Sequence, residues 1–350
     1  MTDPYDVTAV ISTYNRSEML DAALESVLSQ QSRGMRYEVI VVDNNSSDST
    51  REVVERRIGE GRQNLRYLFE HRQGSSYARN AGIAAARSDI IAFADDDVRV
   101  GAEWIATIKQ TFDDNPEVDC VGGKVLPLWL TPPPEWLTRD HWMPLALQDY
   151  GNRKLSINRS NPLCLVSANL AVRRRAFVDT GLFAPELQRI KDGIGSMEDA
   201  ELLERFWQAG RRCLYVPELI VETYVPAERM SKAYQRRWHR GHGYFYAIKR
   251  SEEIDGASTS FFDVPAHLYR QAVTDAASWL LFLFGERSRS FVCEARLNFF
   301  WGFVRKRLAD YFGAAYRAIV REIVSPIRSV ASKKAYAEGQ KQPSGDRSRL

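Results

Sequence analysis

The chain has 350 residues, of which 44% are apolar and 27% charged. These proportions exclude wholesale disorder and an integral membrane protein, and the length allows one enzyme-sized unit with an extension. The formal net charge of +3 hides an asymmetry, because from residue 229 onward Lys and Arg outnumber Asp and Glu two to one while the earlier residues are net negative. A basic C-terminal third suits either an anionic partner, such as a membrane surface or a phosphorylated substrate, or a merely solvated helical face; nucleic acid is not an expected partner.

At the N-terminus the first apolar run, Val7 to Ile11, is short and lacks the basic leader of a signal peptide, so no export is expected. Three β-branched runs, Val7 to Ser12, Tyr37 to Val42 and Asp89 to Ala94, read as buried parallel strands. Between the first two, Met19, Leu20, Ala23, Leu24, Val27 and Leu28 recur at helical spacing, which predicts a helix over Ser17 to Gln30 with Ser17 as its N-cap. Further helices are expected over Asp48 to Arg57 and Ser76 to Ala86, with a strand over Asn64 to Phe69. Alternating strands and helices predict an α/β fold with an open, mostly parallel sheet flanked by helices. Ligands of such sheets bind beyond the carboxyl ends of the strands. There this sequence places Thr13-Tyr14-Asn15-Arg16, Asp43-Asn44-Asn45-Ser46 and Asp95-Asp96-Asp97.

The middle section is expected to be irregular, broken by Leu126-Pro127 and by Pro132-Pro133-Pro134, with a short apolar stretch from Leu163 to Val172. Trp129, Trp136 and Trp142 offer either flat faces for a ligand ring or core packing. A helix follows Glu198 and ends near Gly210, then strand-like runs cover Cys213 to Val216 and Leu219 to Val221, and composition shifts at Pro226. Residues 227–330 read as basic amphipathic helices, and the polar segment 331–350 as a disordered tail. The most apolar stretch, Ala276 to Phe284, is bracketed by Asp275 and Glu286 and is far short of the roughly 20 residues that span a bilayer. Cys120, Cys164, Cys213 and Cys293 form no CxxC pair, which argues against a zinc site or a disulfide framework and fits a cytoplasmic protein.

Three adjacent carboxylates at a buried strand end repel one another unless a cation or hydrogen bonds compensate. Asp95 and Asp97, two residues apart, can face one volume suited to Mg²⁺ or Mn²⁺ held partly by substrate phosphates. Alone the triplet is weak, since an acidic turn before a helix looks the same. In order, Val10-Ile11-Ser12-Thr13-Tyr14-Asn15-Arg16, Val41-Val42-Asp43-Asn44-Asn45-Ser46, Gly74-Ser75-Ser76-Tyr77-Ala78-Arg79-Asn80 and Phe93 to Asp97 resemble the motifs of family 2 glycosyltransferases with the GT-A fold. The resemblance continues to Gly195-Ser196-Met197-Glu198-Asp199 and covers about residues 5–245.

The resemblance implies a GT-A domain over residues 1–226, with a nucleotide-binding half (1–97) and an acceptor half (98–226), followed by the helical extension. It implies that Ser12, Thr13 and Tyr14 contact base and ribose, that Asp43 accepts a hydrogen bond from the base, and that Asn15, Asn44 and Glu198 belong to the donor site. Arg16 and Arg79 are the cations nearest a diphosphate, and Gly74 permits close backbone approach. Asp97 would be the direct metal ligand, supported by Asp95 and Asp96, and Asp199 the general base of an inverting transfer. The neighbouring loop from Lys191 to Ser196, with Gly193 and Gly195, would close over the site.

The implied donor is a UDP- or GDP-sugar and the acceptor a hydroxyl of a glycan or lipid-linked molecule, handled in the cytoplasm or at the inner face of the cell membrane. One departure from the family pattern is Thr223-Tyr224-Val225-Pro226, where relatives carry a histidine in place of Thr223. His239 or His242 can supply that ligand, or clamp the diphosphate with Arg240. Two rival readings are a nucleotidyltransferase, which would want glycines directly after the first strand, and a membrane-surface scaffold with a degenerate core.

Overall fold

The computed structural model describes residues 5–188, 197–250, 252–256 and 259–339, with the backbone alone for 252, 253 and 314–339. In chain order the elements are β1 (Val7–Thr13), α1 (Ser17–Leu28), β2 (Tyr37–Asp43), α2 (Thr50–Gly59), β3 (Leu65–Phe69), α3 (Ser75–Ala85), β4 (Ile90–Asp95) and β5 (Val98–Val100). Then come α4 (Trp104–Asp114), β6 (Val118–Trp129), β7 (Leu155–Ile157), β8 (Asn169–Arg173), α5 (Arg174–Thr180), α6 (Glu198–Gln208) and β9 (Arg212–Val225). The C-terminal part is α7 (Lys232–Lys249), α8 (Glu252–Asp255), the hairpin β10 (Ser260–Phe261) and β11 (Val264–Pro265), α9 (Ala266–Phe282) and α10 (Arg287–Gly339).

Among the described residues the main sheet has nine strands in the order β3-β2-β1-β4-β8-β6-β9-β5, with β7 added on β9. β3, β2, β1 and β4 are parallel, whereas β8 runs antiparallel to both β4 and β6. The expected open α/β sheet is therefore present, parallel from β3 to β4 and mixed beyond it. Because side chains alternate along a strand, each parallel strand feeds two cores. Ile11, Val39, Val41 and Ala92 pack with Leu20 and Leu24 of α1 and Trp104 and Phe112 of α4. On the opposite face Val10, Ile40, Val42 and Phe93 pack with Ile83 of α3 and Leu203 and Phe206 of α6.

The order of strands reverses at β1, since β2 and β3 lie on one side of it and β4 on the other. This is the switch point where open α/β sheets bind ligands. Register there sets Ser12 beside Asp95 and Thr13 beside Asp43.

The middle section is more regular than expected. β6 runs straight through Leu126-Pro127 and pairs with β9 from Val118 to Trp129. Val125 exchanges both backbone hydrogen bonds with Gln148 on the far edge. Pro127, two residues on, points its missing N–H to that same edge, where the ladder does not need it. The two strand-like runs after residue 212 are one strand, β9. Ser17 is the first residue of α1 and caps nothing; its backbone N–H is instead satisfied by the Asp48 carboxylate at 2.9 Å.

α7 and α10 cross tightly. A Cβ at Gly243 would collide with the Phe299 carbonyl, and one at Gly302 with the Arg240 carbonyl. The helical extension has its own small core around Ala247, Val264, Phe303 and Val304. Of the segment 331–350, residues 331–339 continue α10, and 340–350 lie outside the described residues, as do Lys191 to Ser196.

Candidate functional site

A cleft of about 1040 Å³ opens over the carboxyl ends of β1 and β4. It is lined by Ser12, Thr13, Tyr14, Asn15, Arg16, Asn44, Gly74, Arg79, Asp95, Asp96, Asp97, Glu198 and Asp199, so nearly every residue singled out from the sequence meets there. Asp43 does not line it. Its carboxylate lies beneath the rim, accepting from the Tyr67 hydroxyl at 2.7 Å and from the Ser46 N–H at 2.9 Å.

The three carboxylates have different surroundings. Asp96 is buried and accepts from the Thr13 hydroxyl at 2.8 Å and from Arg16 Nη1 at 3.0 Å. Burial pushes its carboxyl up to about 6, against the pull of Arg16 and with the push of Asp97. The same Arg16 nitrogen donates to Asp97 Oδ2 at 2.8 Å. Asp95 is the most accessible of the three, and its Oδ1 meets Arg79 Nη2 at 3.3 Å. Asp97 Oδ1 faces the Thr223 hydroxyl at 3.5 Å, so the threonine that replaces the expected histidine sits directly against the acidic end. Among the described residues no set of three or more His, Cys, Asp or Glu is gathered as a closed metal cage. Two carboxylates facing an open cleft fit a hard cation that completes its shell with phosphate oxygens and water.

Loops from β2 and α3 brace the opposite rim. Asn44 accepts from the Gly74 N–H at 2.6 Å and donates to the Arg72 carbonyl at 2.6 Å. Gly74 has φ +141°, and a Cβ there would strike Gln188, so glycine is required for this approach. Asn15, at φ 50°, accepts from the Ser47 N–H at 2.7 Å, locking the loop after β1 to the loop after β2.

The first turn of α6 closes the site from the side. Glu198 Oε1 accepts from Arg79 Nη1 and the Ser75 hydroxyl, each at 3.3 Å. The buried Arg79 thus bridges Asp95 on the sheet to Glu198 on the helix. Asp199 Oδ2 is held by the Ser167 N–H at 3.0 Å and its hydroxyl at 3.1 Å. Asp199 Oδ1 is buried and has no hydrogen-bond partner among the described residues. Burial pushes the Asp199 carboxyl up to about 6, against Arg79 and the Ser167 bonds and with Glu198 adding to the rise. Such a group is a carboxylate at neutral pH with one oxygen oriented and one uncommitted.

The far wall comes from the segment Arg139 to Tyr150 and from α7. His242 lines the cleft, its ring stacked on Trp238 at 4.4 Å. His239 does not line it, and burial together with His141 pushes its imidazole down to about 4. Arg240 also points elsewhere, donating to Asn298 at 2.7 Å. Of the three tryptophans only Trp142 reaches the cleft; Trp136 packs on Phe291, and Trp129 lies against the sheet core.

Residues missed by sequence reasoning are Ser167, Arg139, Asp149, Arg229, Tyr234 and Arg237. A helical stripe through Tyr234, Trp238, His242 and Tyr246 would have revealed the cleft face of α7. Ser167 carries no local signal at all.

Residues 8–180 match the family model described as Glycosyl transferase family 2. A glucosyl-dolichyl phosphate glucuronosyltransferase of Haloferax volcanii is 27% identical over 212 residues, 60% of this chain and 66% of the relative. A GalNAc(5)-diNAcBac-PP-undecaprenol beta-1,3-glucosyltransferase of Campylobacter jejuni is 28% identical over 106 residues, 30% of this chain and 33% of the relative. The chain therefore spans less than two thirds of the length of these curated relatives. Among solved structures, a mannosyltransferase from Pyrobaculum calidifontis in complex with GDP-Man and Mn²⁺ superposes with a TM-score of 0.52 at 16% identity, covering 86% of this chain and 89% of that one. The fold is that of the GT-A glycosyltransferases.

Proposed function

The chain belongs to glycosyl transferase family 2 through residues 8–180, and from that membership we propose that it moves a sugar, with inversion, from a nucleoside-diphosphate sugar to an acceptor hydroxyl. The observation that carries the reading is Asp199, a half-buried aspartate whose Oδ2 is oriented by Ser167 and whose buried Oδ1 has no hydrogen-bond partner among the described residues, in the same cleft as Asp95, Asp96 and Asp97.

Base and ribose rest on Ser12, Thr13, Tyr14, Asn15 and Asn44 at the switch point, with Asp43 reaching the base once Tyr67 or Ser46 yields. A Mn²⁺ or Mg²⁺ ion would be held by Asp97 and Asp95, with His242 at its margin, and would neutralise charge on the departing nucleoside diphosphate. Arg16 passes from Asp96 and Asp97 to the diphosphate as the donor arrives, while Arg79 keeps Asp95 and Glu198 in place. Asp199 takes the proton from the acceptor hydroxyl as that oxygen attacks the anomeric carbon from the face opposite the leaving group. With the carboxyl near 6, Asp199 is ionised at neutral pH yet remains a better base than an exposed aspartate.

The relatives named for dolichyl- and undecaprenyl-linked substrates support a lipid-linked acceptor, and the reading that goes with it is peripheral work on the inner face of the cell membrane. The acceptor enters along Trp142 to Leu147, the apolar side of the cleft. No helix among the described residues is long and apolar enough to cross a membrane.

Calorimetric titration of UDP and GDP in the presence and absence of Mn²⁺ tests the donor site. Wild type binds one of the two in a metal-dependent manner and Asp97→Ala loses that dependence. Metal-independent binding of equal strength in both proteins would sink the assignment.

A further inference from the structure

We propose that the turn between α9 and α10 is a wedge that docks on an anionic phospholipid bilayer and sets the acceptor side of the cleft against the lipid surface. α9 is apolar on two sides. One side packs on α10, while Val273, Leu280 and Leu281 form a second stripe, spaced i, i+7, i+8, that faces solvent, and Phe284 continues it in the turn after the helix. Leu281 is 79% exposed and Phe284 98%. An exposed Leu alone needs no explanation, but a helical stripe that ends in an almost fully solvated Phe does.

The charge around this tip selects the occupant. Arg270 sits exposed beside the stripe, and Arg287 and Arg289 follow the turn at once. Arg236 and Arg240 of α7 lie along the first turns of α10, where they meet Glu294 and Asn298. The acids close by are Glu286, paired with Arg289 at 2.9 Å, Glu294, Asp275, paired with Arg296 at 3.4 Å, and Asp140 beside His141, which is offset by Lys232 over the Phe291 ring. Apolar side chains bracketed by cations in excess of acids are the chemistry of an interfacial helix on anionic lipid.

Position supplies the second argument. Just past the turn, Ser288 meets Thr138 at 3.3 Å, and Phe291 packs on Trp136 at 4.8 Å and His141 at 5.5 Å. Thr138 leads directly into the cleft wall from Arg139 to Leu147, where Met143 is 61% exposed. The wedge and the acceptor wall therefore share one rim, and seating the wedge brings the cleft mouth to the lipid headgroups. The purpose of this arrangement rests on the transferase reading with a lipid-linked acceptor; the docking does not.

The test is co-sedimentation of the full chain with phosphatidylcholine vesicles, with and without phosphatidylglycerol, at low and high salt. The chain is expected to pellet with the anionic vesicles, and less so as salt rises. The double substitution Leu281→Asp with Phe284→Asp should weaken this partition by about tenfold or more, as expected for withdrawing two large apolar side chains. Arg287→Glu with Arg289→Glu should remove most of the salt-sensitive part. Metal-dependent nucleotide binding, measured on the same variants, should be unchanged. Indifference of the wild type to anionic vesicles, or full binding by the Leu281/Phe284 variant, overturns the proposal. So does a dimer in solution that the variant dissolves while neither protein binds vesicles, since a second copy would then cover the stripe. Vesicle binding without nucleotide binding would retain the wedge and defeat the transferase reading instead.

Discussion

Replacing Asp199 with Asn separates catalysis from stability in opposite directions. The folded protein holds this carboxyl at about 6 against an ordinary 3.8, burial being the main cause. Between those two values the folded chain keeps the proton that the unfolded chain has released, so stability falls as pH rises through the window and is flat above it. The shift amounts to roughly 2 to 3 kcal/mol that the ionised Asp199 costs the fold at neutral pH. Asn keeps an oxygen for the Ser167 N–H and hydroxyl and carries no charge, so Asp199→Asn should unfold several degrees higher than wild type at about pH 8. The gain should shrink as pH falls through the window and vanish below about pH 3, where Asp199 is protonated in both states. Loss of the proposed base should meanwhile cost about a hundred- to ten-thousandfold in transfer rate. Scanning calorimetry across this pH range, beside a transfer assay, reads both effects. A variant less stable than wild type at pH 8, or a stability difference that does not move with pH, would refute the reasoning about Asp199.

Arg79→Met should destabilise by about 3 to 5 kcal/mol in denaturant titrations, because Asp95 and Glu198 lose the buried cation they share. Gly74→Ala should cost about 1 to 3 kcal/mol and weaken nucleotide binding by calorimetry, since φ +141° and the Gln188 side chain leave no room for a Cβ. Gly243→Leu should separate α7 from α10 at about 3 kcal/mol or more, with the unfolding transition losing its sharpness.

The first half of the fold, through β4, was legible because its strands are buried on both faces and so are written as unbroken β-branched runs, each ending in a polar cluster. Once parallel pairing is granted, those clusters must share a rim, and Thr13, Asp96 and Arg16 do meet there. The second half, from β5 to β9, was not legible for the same physical reason in reverse. β6 carries a proline that only its open edge tolerates, and β9 is interrupted in pattern by Pro217 and Glu218 although it is continuous in space. Long-range partners also escaped. Ser167 reaches Asp199 across 32 positions, and the role of Arg79 as a bridge depends on Asp95 and Glu198 arriving from two separate elements. Asp43 shows the limit of transferring a role by motif, since in this structure Tyr67 and Ser46 already claim its oxygens.

The most direct test of the central claim is to incubate the protein with a panel of UDP- and GDP-sugars, Mn²⁺ and short-chain lipid phosphates, and to follow nucleoside diphosphate release together with the anomeric configuration of the product. Wild type is expected to consume one donor, stop when the metal is chelated, and yield the inverted linkage, whereas Asp199→Asn forms no product while still binding the nucleotide. A retained configuration, or transfer by Asp199→Asn at the wild-type rate, would contradict the account.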